Sequence, residues 1–212
     1  MTEKIGEKEN SHLKDPGRVI NLTDGVFAII MTLLVLELKV PDVAPTSLND
    51  ALHECGYKLF LYAISFLLAG VYWMSHRLIF SHIKYVNNML LWLNIIFLMI
   101  CSLIPFGAAL LGTYPDETST LLFYGMLLTM LATWRLLMYY YVTRTIELLI
   151  VKVPEKKRRN VLGIMIFAPA MFLFAMAISP VLPTTALILY ATTPPCFVTL
   201  IAFANKNRDS KR

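Results

Sequence analysis

The chain has 212 residues, of which 57% are hydrophobic and only 16% charged, with a formal net charge of +5. A soluble domain is nearer about 25% charged, and one core at this length cannot hide so much apolar surface. Composition therefore excludes an ordinary soluble domain and predicts an all-α membrane protein, because a bilayer accepts spans of about 20 mostly apolar residues.

Residues 1–18 are polar and mixed in charge, and are expected to be a cytoplasmic tail with no cleavable leader. The apolar run behind them is too long for a signal core. Span one is predicted over about 19–40, stopping at Pro41, before a polar loop with Asp42, Pro45 and Asn49. Span two covers about 57–75, and a short polar link holds His76, Arg77, His82 and Lys84. Span three runs over about 86–111, with a kink expected at Pro105, which cannot donate a backbone hydrogen bond. A loop with Tyr114, Pro115, Asp116 and Glu117 leads to span four at about 119–142. The basic segment from Lys152 to Arg159 precedes span five at about 161–179. After a break at Pro180–Pro183, span six reaches about residue 204 with Pro194 and Pro195 inside it, and a basic tail occupies 206–212. Six transmembrane helices thus form one unit over 19–205. The spans are apolar all round, which fits helices rather than the alternating strands of a barrel.

Charge sets the topology. Lys4, Lys8, Lys14, Arg18, Arg77, Lys84, Arg144, Lys152, Lys156–Arg159 and the tail from Lys206 to Arg212 all fall on one side if there are six spans. The other side holds Lys39 and Lys58 against Asp42, Asp50, Glu54, Asp116 and Glu117. Cytoplasmic loops collect Lys and Arg, so a multi-pass protein of the cell membrane with both termini cytoplasmic is expected. The basic residues sit beside spans, where anionic membrane lipids are the natural partners and nucleic acid is not.

No HExxH, GxSxG or phosphate-loop motif occurs, so no enzyme, catalytic residue, metal site or cofactor is predicted. His76 and His82 are six apart, a spacing that suits no common zinc site, and both read as interfacial. Cys55, Cys101 and Cys196 are odd in number and read as free thiols. Arg135, inside span four, is expected to snorkel to the interface, with a salt bridge to Glu147 or Asp24 as the alternative. Charged groups within a span are costly and need partners. Asp24 stands several residues into span one, and Arg18 lies on a different face of the same helix. A partner on another helix is therefore expected, with His76 and Arg77 at a similar depth and Asn94 near them.

Further along span one, Gly25, Ile29, Thr32 or Leu33, Leu36 and Val40 recur at steps of three and four and form one stripe. On a lone helix such a stripe is packing. In a symmetric oligomer it lines an axis, with Ile29, Leu33 and Leu36 as stacked apolar rings, Thr32 as a hydroxyl layer, and Glu37 and Asp42 drawing in cations.

The run Arg18-Val-Ile-Asn-Leu22-Thr23-Asp24-Gly25-Val-Phe27-Ala28-Ile29 resembles the R-x-x-x-F-S-D-G-V-F-A-I signature of the transmembrane protein 175 family of potassium channels. Thr32–Leu36, Trp73-x-x-His76-Arg77, Leu93-Asn94 and Leu103-Ile104-Pro105-Phe106 are also similar to that family. Leu22 stands for Phe and Thr23 for Ser, so the chemical types are kept. The resemblance implies six helices per repeat and a homotetramer of single-repeat chains, as in prokaryotic members. It implies a pore lined by the first helices, with potassium as the permeant ion and no cofactor. It places the narrowest apolar ring at Ile29, the hydroxyl layer at Thr32, and further pore positions at Leu33 and Leu36. Arg18, Thr23, Asp24, His76 and Asn94 match an interhelical polar network. No TVGYG filter occurs, so selectivity is assigned to span-one side chains rather than a carbonyl ring. A secondary transporter and a non-conducting scaffold are the competing readings.

Overall fold

The computed structural model describes residues 14–38, 48–115 and 117–209, with the backbone alone at 48–54, 57 and 197–209. Most of the N-terminal tail, Lys39, Val40, Pro41, Asp42, Pro45, Asp116 and the last three residues lie outside the described residues. Helix α1 (Gly17–Leu36) starts behind Pro16, whose carbonyl accepts the first backbone bonds, from Val19 and Ile20, at 3.0 Å each. Helix α2 (Leu48–Phe80) is 33 residues long, and its apolar part is Lys58–Phe80. The predicted span two stops too early. His76 and Arg77 belong to the helix and not to a link.

The third span is two helices, α3 (Asn88–Cys101) and α4 (Ile104–Thr113). Pro105 does not kink a continuous helix. It occupies the first turn of α4, where its missing N–H costs nothing. The break falls at Ser102, whose Oγ donates to the Met99 carbonyl at 2.7 Å and competes for a helical acceptor. Helix α5 (Thr118–Arg144) is followed by a 3-10 turn at Ile146–Leu148. Helix α6 (Glu155–Ile178) takes up most of the predicted basic loop, so Lys156–Arg159 form its first turns. Helix α7 (Pro183–Asp209) continues through Pro194 and Pro195 into the predicted tail. Among the described residues, five stretches are long and apolar enough to cross a membrane, and α7 is the sixth rod of the bundle.

Helix α1 packs on α2, α3 and α4, while α5 holds α3 and α4 on one side and α6 and α7 on the other. Lipid gives helices no hydrophobic reason to associate, so close approach and interhelical bonds decide the packing. Two glycines allow that approach. A Cβ on Gly107 of α4 would stand 3.0 Å from Leu127 Cδ2, and one on Gly125 of α5 would stand 2.9 Å from Tyr190 Cζ and 3.1 Å from Met176 Cβ. Tyr190 is held over Gly125 by donating its hydroxyl to the Leu121 carbonyl at 3.1 Å.

One end of the bundle is knitted by backbone. Lys14 and Val86 exchange N–H···O bonds of 2.8 Å, Lys84 N–H donates to Leu148 O at 2.7 Å, and Ile150 N–H donates to His82 O at 3.0 Å. Asn87 accepts from Leu90 N–H at 3.0 Å to cap α3 and donates to Tyr141 OH at 2.8 Å. The base of α1, the α2–α3 turn and the α5–α6 connection therefore form one layer, which gathers Lys14, Lys84, Arg144 and Lys152. Replacing Gly125 with Ala should force a shift at the α5–α7 contact and cost about 1–3 kcal/mol. A thermal melt in detergent reads this directly, and an unchanged midpoint would contradict so close a contact.

Candidate functional site

The two sides of α1 differ sharply. Val19, Thr23, Phe27, Ile30 and Leu34 recur at steps of four and three and are buried against the bundle. The interleaved set Arg18, Asn21, Gly25, Ile29, Thr32 and Leu36 is exposed. Ile29, Leu33 and Leu36 are 58%, 42% and 67% exposed. A Cβ on Gly25 would meet no atom of the bundle within 4 Å. The predicted stripe is thus a bare face of one protomer, ending at the last helical residue, Leu36. Thr32 points the same way and donates its hydroxyl to the Ala28 and Ile29 carbonyls at 3.1 and 2.9 Å. The donor is thereby satisfied, and the oxygen lone pairs stay open toward the outside.

Near its foot, the opposite face of α1 is gripped by polar bonds. Thr23 donates its hydroxyl to Val19 O at 2.9 Å and accepts from Asn94 Nδ2 at 3.1 Å. Asn94 Oδ1 in turn receives His76 Nε2–H at 2.8 Å. A hydroxyl has one proton, so donation to Val19 fixes the whole chain of bonds from His76 through Asn94 to Thr23. His76 is only 2% exposed and stacks between Phe80 and Phe97, at 4.2 and 5.8 Å. Phe97 also touches Phe27 of α1, at 6.2 Å between ring centroids. The interfacial expectation for His76 fails because α2 runs past it and carries it between α1 and α3.

Asp24 bonds elsewhere. Its Oδ1 accepts the Trp73 indole N–H at 2.7 Å, a charge-assisted bond from α2. The Arg77 guanidinium lies 5.2 Å from the centre of the Trp73 ring. Trp73 is the residue sequence reasoning missed as a site, although the Trp-x-x-His-Arg run held the signal: Trp73 and Arg77 are one helical turn apart. Arg18 does not join these bonds among the described residues. It is exposed, because five residues of helix separate it from Thr23, about 500° of rotation. Arg135 does not snorkel. It is 2% exposed, lies 5.4 Å from the Tyr72 ring and donates to Ser75 Oγ at 3.3 Å. Its head turns to α2 instead, enclosed at Ser75 and Tyr72.

This architecture defines a multi-pass, all-helical membrane protein whose first helix is anchored on one face and bare on the other. The sequence profile described as "Endosomal/lysosomal potassium channel TMEM175" matches residues 18–105. A protein of Streptomyces collinus named as a potassium channel is 38% identical over 106 residues, covering 50% of this chain and 52% of the relative. The chain therefore spans about half the length of that relative. A potassium channel of Chamaesiphon minutus is 28% identical over 197 residues, covering 90% of this chain and 94% of the relative. The crystal structure of a lysosomal potassium-selective channel TMEM175 homolog from Chamaesiphon minutus superposes with a TM-score of 0.77 at 25% identity, covering 86% of this chain and 96% of that one. The chain is thus similar to TMEM175 channels in sequence over residues 18–105, and in fold over most of its length to the solved homolog.

Changing Asn94 to Leu should leave His76 Nε2–H without its acceptor and the Thr23 oxygen without its donor, while Thr23 still donates to Val19 O. An unsatisfied buried polar group costs about 1–3 kcal/mol. The variant should melt earlier in detergent than Thr32→Val, which alters the bare face. Equal melting of the two would argue against a gripping role for the network.

Proposed function

We propose that this chain is a passive, potassium-preferring cation channel, formed by four copies with their α1 helices around the ion path. The observation that carries this reading is the bare face of α1, which is apolar at Ile29, Leu33 and Leu36 and hydroxylated at Thr32, while the opposite face, with Val19, Thr23, Phe27, Ile30 and Leu34, is buried against its own bundle. The relatives named as potassium channels support the choice of ion.

In this arrangement Ile29 is the narrowest ring. An apolar ring of this kind expels water and raises the cost of a passing ion. Thr32, one turn along, offers hydroxyl oxygens that replace part of the ion's hydration shell. Leu33 and Leu36 continue the apolar wall, and Glu37 at the end of α1 attracts cations to the mouth. No carbonyl ring takes part, so selectivity rests on side chains and is modest. Thr23, Asp24, His76 and Asn94 hold α1 at a fixed angle instead of touching ions. Both termini face the cytoplasm, which places the basic layer of Lys14, Lys84, Arg144 and Lys152 inside the cell membrane's negative leaflet.

Purified protein in liposomes tests this. Replacing Ile29 with Asn wets the ring, and should raise single-channel current several-fold while lowering the preference for potassium over sodium. Unchanged current would sink the pore assignment. Flux that saturates with potassium at a low turnover, in place of channel-like current, would favour a secondary transporter.

A further inference from the structure

A second feature lies away from α1. Between α2, α5 and α6, beside the basic layer, is a cavity of about 180 Å³ lined mainly by Leu78, Ile79, Val142, Leu149, Val161 and Met165. Its few polar groups are Ser75, His82, Tyr139, Thr143 and Lys157. The volume is several times the about 30 Å³ of one water, yet most of its wall offers water no bond. Thr143 already donates its hydroxyl to Tyr139 O at 2.8 Å, and His82 Nδ1 donates to Leu78 O at 3.0 Å. Lys157 is half-buried on the wall and forms no ion pair among the described residues, since the neighbouring Glu155 is taken by Arg158. A partly desolvated, unpaired ammonium above an apolar hollow calls for an anion that carries its own hydrocarbon. Exposed Lys152, Lys156 and Arg159 surround this side and add positive field.

We propose that this cavity binds an anionic phospholipid of the surrounding leaflet, with one acyl chain in the hollow and its phosphate on Lys157. Basic pockets between spans at this depth suit such head groups. The site also reaches the α1 anchor. Ser75 lines the cavity and accepts from Arg135 Nη1 at 3.3 Å, and the next residue, His76, holds Asn94. A filled cavity braces α2 against α5 and α6 at the level where α2 grips α1, so bound lipid supports ion flux. Binding rests on the cavity alone, and the effect on flux rests on the channel reading.

Native mass spectrometry of the full chain with phosphatidylglycerol and phosphatidylcholine reads binding without any flux. Wild type should retain phosphatidylglycerol in preference. Lys157→Gln and Met165→Trp should lower that retention several-fold, whereas Lys156→Gln, which removes an exposed charge of the same helix, should leave it unchanged. Val161→Phe fills the hollow from a less buried position, in case Met165→Trp upsets folding. In phosphatidylcholine liposomes, added phosphatidylglycerol should raise potassium flux for wild type and Lys156→Gln and do little for the two cavity variants. Wild-type retention by both cavity variants overturns the site. Equal loss in Lys156→Gln overturns it too, since the contact is then a diffuse charge effect. Preferential retention of oleate over phosphatidylglycerol overturns the phospholipid assignment in favour of a free fatty acid. Selective binding as described with no flux in any liposome upholds the site and counts against the channel reading alone.

Discussion

A helix left bare on one face must be held from the other, and in a bilayer the grip cannot come from the hydrophobic effect. Lipid is as apolar as leucine, so the grip depends on shape and on polar bonds that have no better partner. The bond from His76 to Asn94 to Thr23 answers that constraint. It fixes the foot of α1 to α2 and α3 at once, with the direction of each proton set by Thr23 donating to its own helix at Val19. Asp24 adds a second tie to α2 through Trp73. Phe27, Ile30 and Leu34 then extend the contact by packing alone, and the opposite face is left uncovered.

The remaining helices are arranged so that this grip is firm. Glycines at Gly107 and Gly125 let α5 approach α4 and α7 closely, and Arg135 ties α5 to α2 near the level of His76. The backbone layer joining Lys14, Val86, Leu148 and His82 stops the base of α1 from swinging. Each contact is worth little alone. Interhelical polar bonds in membranes average about 0.6 kcal/mol, so their value lies in fixing one geometry.

Much of this was legible in the sequence. The six rods of the bundle followed from counting apolar residues, and five of them are long and apolar enough among the described residues to cross a membrane. The need of Asp24 for a partner on another helix followed from the cost of burying a charge, and the face containing Ile29 and Leu36 followed from helical periodicity. Other features were not legible. Nothing in local composition marks where α2 stops, because His76 and Arg77 look like a polar link until Asn94 and Trp73 are seen to receive them. Pro105 is equally compatible with a kink and with a fresh start, and Ser102 decides in favour of the start by occupying a carbonyl. Arg135 looked like a snorkelling residue because its partners, Ser75 and Tyr72, are about 60 residues away in sequence and adjacent only after folding.

The central claim is that the bare face of α1, and not its gripped face, meets the ions. Cysteine accessibility along α1 tests it most directly, in a background where Cys55, Cys101 and Cys196 are replaced. Single cysteines at Gly25, Ile29, Thr32 and Leu36 should react with a charged thiol reagent and block potassium flux, while those at Phe27, Ile30 and Leu34 should stay unmodified. Block from the Phe27, Ile30 and Leu34 positions, or none from Ile29 and Thr32 despite flux, would contradict it.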